Sequence, residues 1–350
     1  MTTSTAPHAF ELDRSDPMEL LTHMVAYGLA AIVEAATDTP PALSWTEGMA
    51  PHARLAHEAL TPTDMAGIVR SHATHLGQEA AWPQERLELA GRPRGLMSPR
   101  LARIDDWAEL TQRRHEVLDR LTGPDTWLDQ LFLWSLGEPC YWSFGPRDEI
   151  RQDDAASRLE LQPRNQGSEI VGNRLSPLVE AVAGRTPEEI EAGLVGVACR
   201  DSVGHDAPDS RSGIGFRAPG PVDDAVSWCA IWGLSQFALN RSPRRTTTAG
   251  NLRDGRSEWS VVPIWRGEWT PARLRSVLAS AQLRAVAEES TGQEADEPAD
   301  AFATSDGRRW LLARGVKALV AFPVQRFGSA SAPERRAQRG VVYSIERHPR

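Results

Sequence analysis

The stretch SDPMELLTHMVAYGLAAIVEAA, Ser15 to Ala36, leaves the chain little freedom near its start. Asp16 can cap a helix, Pro17 suits the first helical position, and Glu19 completes a capping-box pattern. Leu21, Val25, Leu29, Ile32 and Ala36 then recur at helical spacing as one apolar stripe, with Glu19, His23 and Glu34 lying off it. The same kind of start returns at Thr61 (TPTDMAGIVRSHATHLGQEAAW) and at Thr186 (TPEEIEAGLVG). Helices are also expected from about Asp105 to Leu121, from about Asp125 to Leu136, and near Ser168 to Ala183. Two more are read in PVDDAVSWCAIWGLSQFAL, with Trp228 and Trp232 one turn apart, and in TPARLRSVLASAQLRAVAEE.

Between the helices lie short strand-like runs, PALSWT, CYWSF, SRLELQP and SEWSVVPIW, and the tail, RRWLLARGVKALVAFPVQRF and RGVVYSIER, reads as a helix or turn followed by strands. RPRGLMSPRLAR reads as an exposed basic loop, NRSPRRTTTAGNLRDGR as a second one, and CRDSVGHDAPDSRSGIGFRAPG as a long polar loop. Six acids between Glu288 and Asp300 suggest a mobile acidic connection over 288–300. The expected fold class is α+β: mixed, helix-rich, with short strands and long polar loops. The chain of 350 residues divides into an N-terminal α+β domain over 16–150 and a C-terminal one over 151–350.

Hydrophobic residues make up 41% of the chain, with 12 Trp, which is ample for a packed core and excludes disorder over most of its length. Cys140, Cys199 and Cys229 lie far apart and form no CxxC, so neither a disulfide framework nor a zinc ribbon is expected. With no charged segment leading into an apolar one near the start, and with Glu19, His23 and Glu34 inside the most apolar early stretch, the expectation is a cytoplasmic protein without a membrane span.

The formal charge is −8, which argues against a general nucleic-acid coat but not against local basic surfaces. Every basic residue except Lys317 is arginine, whose planar fork suits phosphates, carboxylates and bases. LQPRNQGSEIVGNRL, Leu161 to Leu175, gathers Arg164, Asn165, Gln166, Asn173 and Arg174, while Gly167 and Gly172 permit close backbone approach. That set can grip a phosphate backbone or read base edges. The same amides could instead stitch the segment to its own domain. Asn240 to Arg256 carries Arg241, Arg244, Arg245, Arg253 and Arg256 against the single acid Asp254, a composition suited to phosphate contacts. With the loop from Arg92 to Arg103 it makes two basic islands in an acidic chain.

Two clusters compete with this reading. Asp201, His205, Asp206 and Asp209 could bind a metal in a hydrolase, although their spacing matches no metal motif. His72, His75 and Glu79 share adjacent turns of one expected helix and read as a surface face. No Walker loop, GxSxG or HExxH occurs, and no GxGxxG leads into a suitable helix. No cofactor or metal is expected.

Three segments resemble a known family. LLTHMVAYGLAAIVEAA followed by PALSWT is similar to the N-terminus of large-subunit-like proteins of type I CRISPR effector (Cascade) complexes, particularly the compact ones of subtype I-U, also called I-G. SEWSVVPIWRGEWTPARLRSVLA resembles a tryptophan-bearing strand and helix of that group, and LLARGVKALVAFPVQRFG its late strand segment. The resemblance implies a non-catalytic subunit of a crRNA-guided surveillance complex in antiviral defence. Such a subunit would aid recognition of the protospacer-adjacent motif on target DNA, steady the R-loop, and contact crRNA, other effector subunits and a helicase-nuclease. The alternatives are a metal-dependent hydrolase centred on Asp201–Asp209 and a protein-interaction factor without nucleic-acid contact.

Overall fold

The computed structural model describes residues 8–13, 15–48, 50–89, 91–99, 101, 104, 106–137, 143–144, 150–151, 156–161, 169–241, 246–254, 257–292, 301–328 and 334–346. The first elements are β1 (His8–Glu11), α1 (Leu20–Ala35), β2 (Ala42–Trp45), β3 (Ala53–His57) and α2 (Pro62–Leu76). A hairpin of β4 (Arg86–Leu89) and β5 (Arg92–Gly95) leads to α3 (Trp107–Arg120), α4 (Trp127–Leu136) and the short pair β6 (Ser143–Phe144) and β7 (Ile150–Arg151). Then come α5 (Ser176–Ala183), α6 (Pro187–Leu194) and α7 (Asp224–Trp232). The last part runs β8 (Leu239–Arg241), β9 (Thr246–Thr248), β10 (Asn251–Asp254), β11 (Ser257–Trp265), α8 (Pro271–Leu278), α9 (Ala281–Thr291), α10 (Ala301–Ala313), β12 (Val316–Phe327), β13 (Glu334–Ala337) and β14 (Val341–Ser344). The fold is α+β, with several small antiparallel sheets.

Helix α1 is the centre of the core. It is buried on every side from Leu20 to Val33, so the one-sided stripe expected from the sequence is in fact an all-round apolar helix. His23 is enclosed with the rest: its Nε2 lies 2.9 Å from the Pro17 carbonyl, and Trp45 and Phe322 pack on its ring. Burial drives its pKa down to about 4, against smaller upward contributions from the Pro17 carbonyl and Asp16. The helix also starts later than its capping signal suggests. Asp16 instead closes a preceding turn by accepting from the Met18 amide, and Glu19 stands at the N-cap without a side-chain cap bond. Helix α7 lies directly against α1 because glycines meet at the crossing. A Cβ on Gly28 would sit 1.8 Å from the Cys229 carbonyl oxygen, and one on Gly233 would sit 2.2 Å from that of Met24.

The largest sheet has the order β10-β11-β12-β13, and β14 pairs with β12 beyond β13. A second sheet, β1-β3-β2, joins it through Leu43 and Trp269, which exchange backbone bonds of 2.7 and 2.8 Å. One buried apolar cluster runs from Phe10 to Ile345, with α2 lying against α5 and α6 as α1 lies against α7. Among the described residues no helix is long and apolar enough to cross a membrane.

The reciprocal caps are present at Thr61 with Asp64 and at Thr186 with Glu189. Several other expectations are corrected. The stretch 92–103 is not simply an exposed basic loop: it opens with β5, where Arg92 is exposed and Arg94 buried, and Leu96, Met97, Ser98 and Leu101 are buried after it, while Arg100 and Arg103 lie outside the described residues. Its apolar residues enter the core, and the enclosed Arg114 donates to the carbonyls of Leu96 and Ser98. Ser157 to Leu161 is not a strand; the carbonyls of Arg158 and Glu160 accept from the Arg335 side chain and that of Leu161 from the Arg335 amide, without a strand ladder. The expected basic loop over 240–256 is two hairpins, β8–β9 and β10–β11, with Gly250 at φ +65° in the turn between them. The single helix expected after Thr270 breaks at Ser280, whose hydroxyl caps α9 by accepting from the Leu283 amide. Residues 288–291 of the supposed acidic connection belong to α9, and 293–300 lie outside the described residues.

Candidate nucleic-acid interface

The sequence treats Arg158, Arg174, Arg211, Arg253, Arg326, Arg335 and Arg336 as unrelated. The structure collects them at one end of the largest sheet, around two glutamates. Glu258 is nearly enclosed. Arg158 grips it with two parallel bonds, Nε to Oε1 at 3.0 Å and Nη2 to Oε2 at 2.7 Å. Arg335 reaches the same Oε1 at 3.2 Å, and Asn251 donates to it at 3.2 Å. Burial pushes this carboxyl up, but Arg158, Arg335 and Asn251 together overcome it and hold the pKa below the usual carboxylate value. The Glu258 side chain is therefore an anion that locks two guanidiniums in place.

Glu334 does the same on the other face of β13. Arg336 donates to its Oε1 at 2.6 Å, and Arg211 lies 3.1 Å from its Oε2. Arg336 also stacks over the Phe327 ring, with its Cζ 4.6 Å from the centroid. Arg174 joins this group. Burial, with Arg211 adding, lowers its pKa, while Glu334 and Asp201 counteract.

Two further arginines complete the end of the sheet. Arg253 is directly opposite Glu258 across the β10–β11 pair, and Arg326 is opposite Arg335 across β12–β13. Both side chains are exposed, and no hydrogen bond or ion pair engages either of them among the described residues. The arrangement thus has Arg158 and Arg335 fixed by Glu258 on one face, Arg211 and Arg336 held by Glu334 on the other, and two exposed arginines, Arg253 and Arg326, presented to solvent beside the first pair. An ordered guanidinium loses little freedom on meeting a phosphate, and its fork geometry suits bidentate contact.

Of the residues singled out in the sequence, Arg174 and Arg253 come to this end of the sheet. Arg164, Asn165, Gln166 and Gly167 lie outside the described residues, as do Arg244 and Arg245; only the backbone of Arg241, in β8, is described. Asn173 and Gly172 turn inward. They begin the helix that runs into α5, through a wider first turn over Val171–Leu175, and both serve Glu169. The Glu169 carboxylate accepts from the amides of Gly95 at 2.9 Å and Gly172 at 2.8 Å, from Asn173 Nδ2 at 3.2 Å, and from the Ser98 hydroxyl. Gly172 permits a close approach, but to Gly95 of this same chain: a Cβ on Gly95 would lie 2.6 Å from the Gly172 nitrogen. For this half of the stretch the polar side chains hold the domain together.

Asp201 likewise has an internal role. It is fully buried; its Oδ1 accepts from the Gly204 amide at 2.8 Å and its Oδ2 from the Ser212 hydroxyl at 2.7 Å. Asp206 accepts from the Asp201 amide, and His205 and Asp206 take left-handed φ values of 55° and 49° that close the turn. Among the described residues no group of three or more His, Cys, Asp or Glu is placed to hold a metal. His72 does not sit on a surface face. It falls on the Met65, Val69, Leu76 stripe of α2 and meets Trp228 and Trp232 edge-on, with centroids at 5.5 and 4.4 Å. Burial, with His75 adding, lowers its pKa to about 3.

The arginine cluster was missed because its members are scattered along the chain. The one local signal was the pair of arginines at 335 and 336, on adjacent residues of a strand and so on opposite faces. No protein-family model matches the chain, and no curated protein matches it either.

Proposed function

We propose that the chain is a nucleic-acid-binding subunit of a crRNA-guided surveillance complex, gripping the phosphate backbone without chemistry of its own. The observation that carries this reading is the arginine-rich end of the largest sheet. Glu258 and Glu334 immobilise their partner guanidiniums, and the exposed Arg253 and Arg326 stand beside them without partners among the described residues. Such a surface, in a chain whose formal charge is −8, concentrates its attraction for polyanions at one place. The resemblance to large-subunit-like CRISPR proteins points the same way. Its three segments correspond to α1 with β2, to β11 with α8, and to β12, and β11 and β12 are strands of the sheet that carries the arginines. In such a complex guide pairing would supply sequence specificity, and backbone contacts of this kind would tip a nearly balanced strand exchange.

Two measurements test it. A tagged chain expressed with its genomic neighbours is expected to co-purify with a short RNA of uniform length. The double variant Arg253→Ala, Arg326→Ala is expected to bind DNA or RNA with a salt slope flatter by up to about 1.8 log units, at about 0.9 for each phosphate left without its arginine. A chain that carries no RNA with its neighbours, and whose weak binding to any polynucleotide has the same salt slope in wild type and double variant, would overturn the proposal.

A further inference from the structure

We infer that the cavity between the β8–β9 hairpin and the α8–α9 corner receives one unstacked base of a bound strand, an inference that rests on the nucleic-acid reading above. The cavity measures about 220 Å³. That is below the roughly 300–1,000 Å³ of a site for a drug-sized ligand, and it suits a single flat ring system. Its floor is aliphatic, formed by Leu252, Val261 and Leu283, which are buried. Its mouth is polar, with Asn240, Thr247 and Arg284. A base has the matching division: two flat faces with little affinity for water, and an edge of donors and acceptors.

The mouth is built to meet such an edge. Asn240 and Thr247 are direct cross-strand partners, so their side chains stand on the same face of the hairpin. Asn carries both a donor and an acceptor, and Thr a hydroxyl that serves as either. Arg284 spends its Nε on Glu288 at 2.8 Å and stays exposed.

Interior bonds also tie the wall of the cavity to the arginine cluster. Thr248 and Asn251 form part of its wall. The Thr248 hydroxyl accepts from the Arg158 amide at 2.9 Å, and Asn251 donates to Glu258. Arg253 directly follows Leu252 of the floor in β10 and faces the other side of the sheet, so a strand whose phosphates lie on Arg253 reaches the opening by crossing the edge that β10 forms. Bases that leave the stack are commonly held this way, face against apolar surface and edge on polar groups.

The test uses the full-length chain and single-stranded oligonucleotides, DNA in one arm and RNA in the other, carrying 2-aminopurine at each position in turn. With an aliphatic floor and no ring to quench it, the probe is expected to brighten several-fold at one position on binding. Ala281→Phe fills the cavity from the exposed start of α9, and Thr247→Phe fills it from the hairpin. Each is expected to abolish the brightening while raising Kd by no more than about tenfold, since phosphate contacts carry most of the affinity. The arm in which the signal occurs identifies the strand. Binding without brightening at any position, or brightening that survives both variants, would overturn the pocket and leave the phosphate-gripping surface standing. Failure of the wild-type chain to bind either oligonucleotide would overturn both.

Discussion

Removing the Glu258 carboxylate is expected to unlock the arginine-rich end of the sheet. In Glu258→Ala the side chains of Arg158 and Arg335 keep their burial, with 13% and 5% exposure, and lose the anion they share. Breaking a buried pair from one side costs about 3–5 kcal/mol, because a charge is left uncompensated. At about 2 °C per kcal/mol for a chain of this size or somewhat less, the melting temperature should fall by roughly 5–10 °C. Glu258→Gln keeps the shape and one acceptor and should fall by less. The pH dependence has a definite sign. The folded pKa is held below the unfolded one, so this stabilisation is fully present above the ordinary carboxylate pKa and is lost as pH falls through the folded value. Scanning calorimetry at pH 7 and at stepwise lower pH reads both effects. A Glu258→Ala chain that melts within about 1 °C of wild type at pH 7 would refute the reasoning, since a change that small is what an ordinary surface substitution gives.

Asp129 behaves in the opposite sense. Burial lifts its pKa to about 6, against smaller downward pulls from the Trp82 hydrogen bond and from His75. The folded chain holds that proton more tightly than the unfolded one, so stability is expected to fall as pH rises from about 4 to about 6. Asp129→Asn, which still accepts from the Trp82 indole, should flatten that window and raise the melting temperature at pH 7.5; an unchanged pH profile counts against it. Gly172→Ala would place a Cβ 2.1 Å from Glu169 Oε1, and a loss of about 1–3 kcal/mol in a urea titration is expected, with no loss refuting the close packing. The triple variant Arg241→Ala, Arg244→Ala, Arg245→Ala should flatten the salt dependence of nucleic-acid binding by up to about 2.7 log units, and equal slopes in a filter-binding titration would leave that hairpin without a phosphate role.

What could be read from the sequence was what neighbours in sequence decide. The helix starts at Thr61 and Thr186 are made by residues three apart, and they stand where the pattern places them. The α1 start is the instructive exception. Asp16, Pro17 and Glu19 form an equally good local signal, yet the Met18 amide takes Asp16 into a turn and the core takes everything from Leu20 onward. Local preference of about 1 kcal/mol does not prevail over fourteen buried positions in one helix. His72 was misread for a related reason, since its position on the apolar stripe outweighs its polarity once Trp228 and Trp232 are present to cover it.

The arginines show where local reading stops. In the sequence Arg94, Arg114, Arg253 and Arg335 are the same residue. In the fold Arg114 is spent on backbone carbonyls, Arg335 on Glu258 and two carbonyls, and Arg94 is buried, while Arg253 faces solvent. Counting basic residues along a loop therefore misplaces the basic surface, as the buried Arg94 shows for the stretch 92–103. What sorts them is the position of a few acids. Glu169, inside the most polar stretch of the chain, draws Gly172 and Asn173 inward and turns half of that stretch into a structural joint. Glu258, in a strand that reads as ordinary, and Glu334, in one the sequence does not announce, hold their arginines at the rim of the sheet and leave neighbours uncovered. In an acidic chain whose cations are nearly all arginine, the placement of buried glutamates determines which guanidiniums remain for a polyanion. Moving such a glutamate should therefore alter binding more than removing any one exposed arginine. Glu334→Gln, which frees Arg211 and Arg336 together, is expected to steepen the salt dependence of binding, by up to about 0.9 log units for each further phosphate neutralised. A slope unchanged from wild type, in a chain that melts normally, would mean that the glutamates do not set the binding surface.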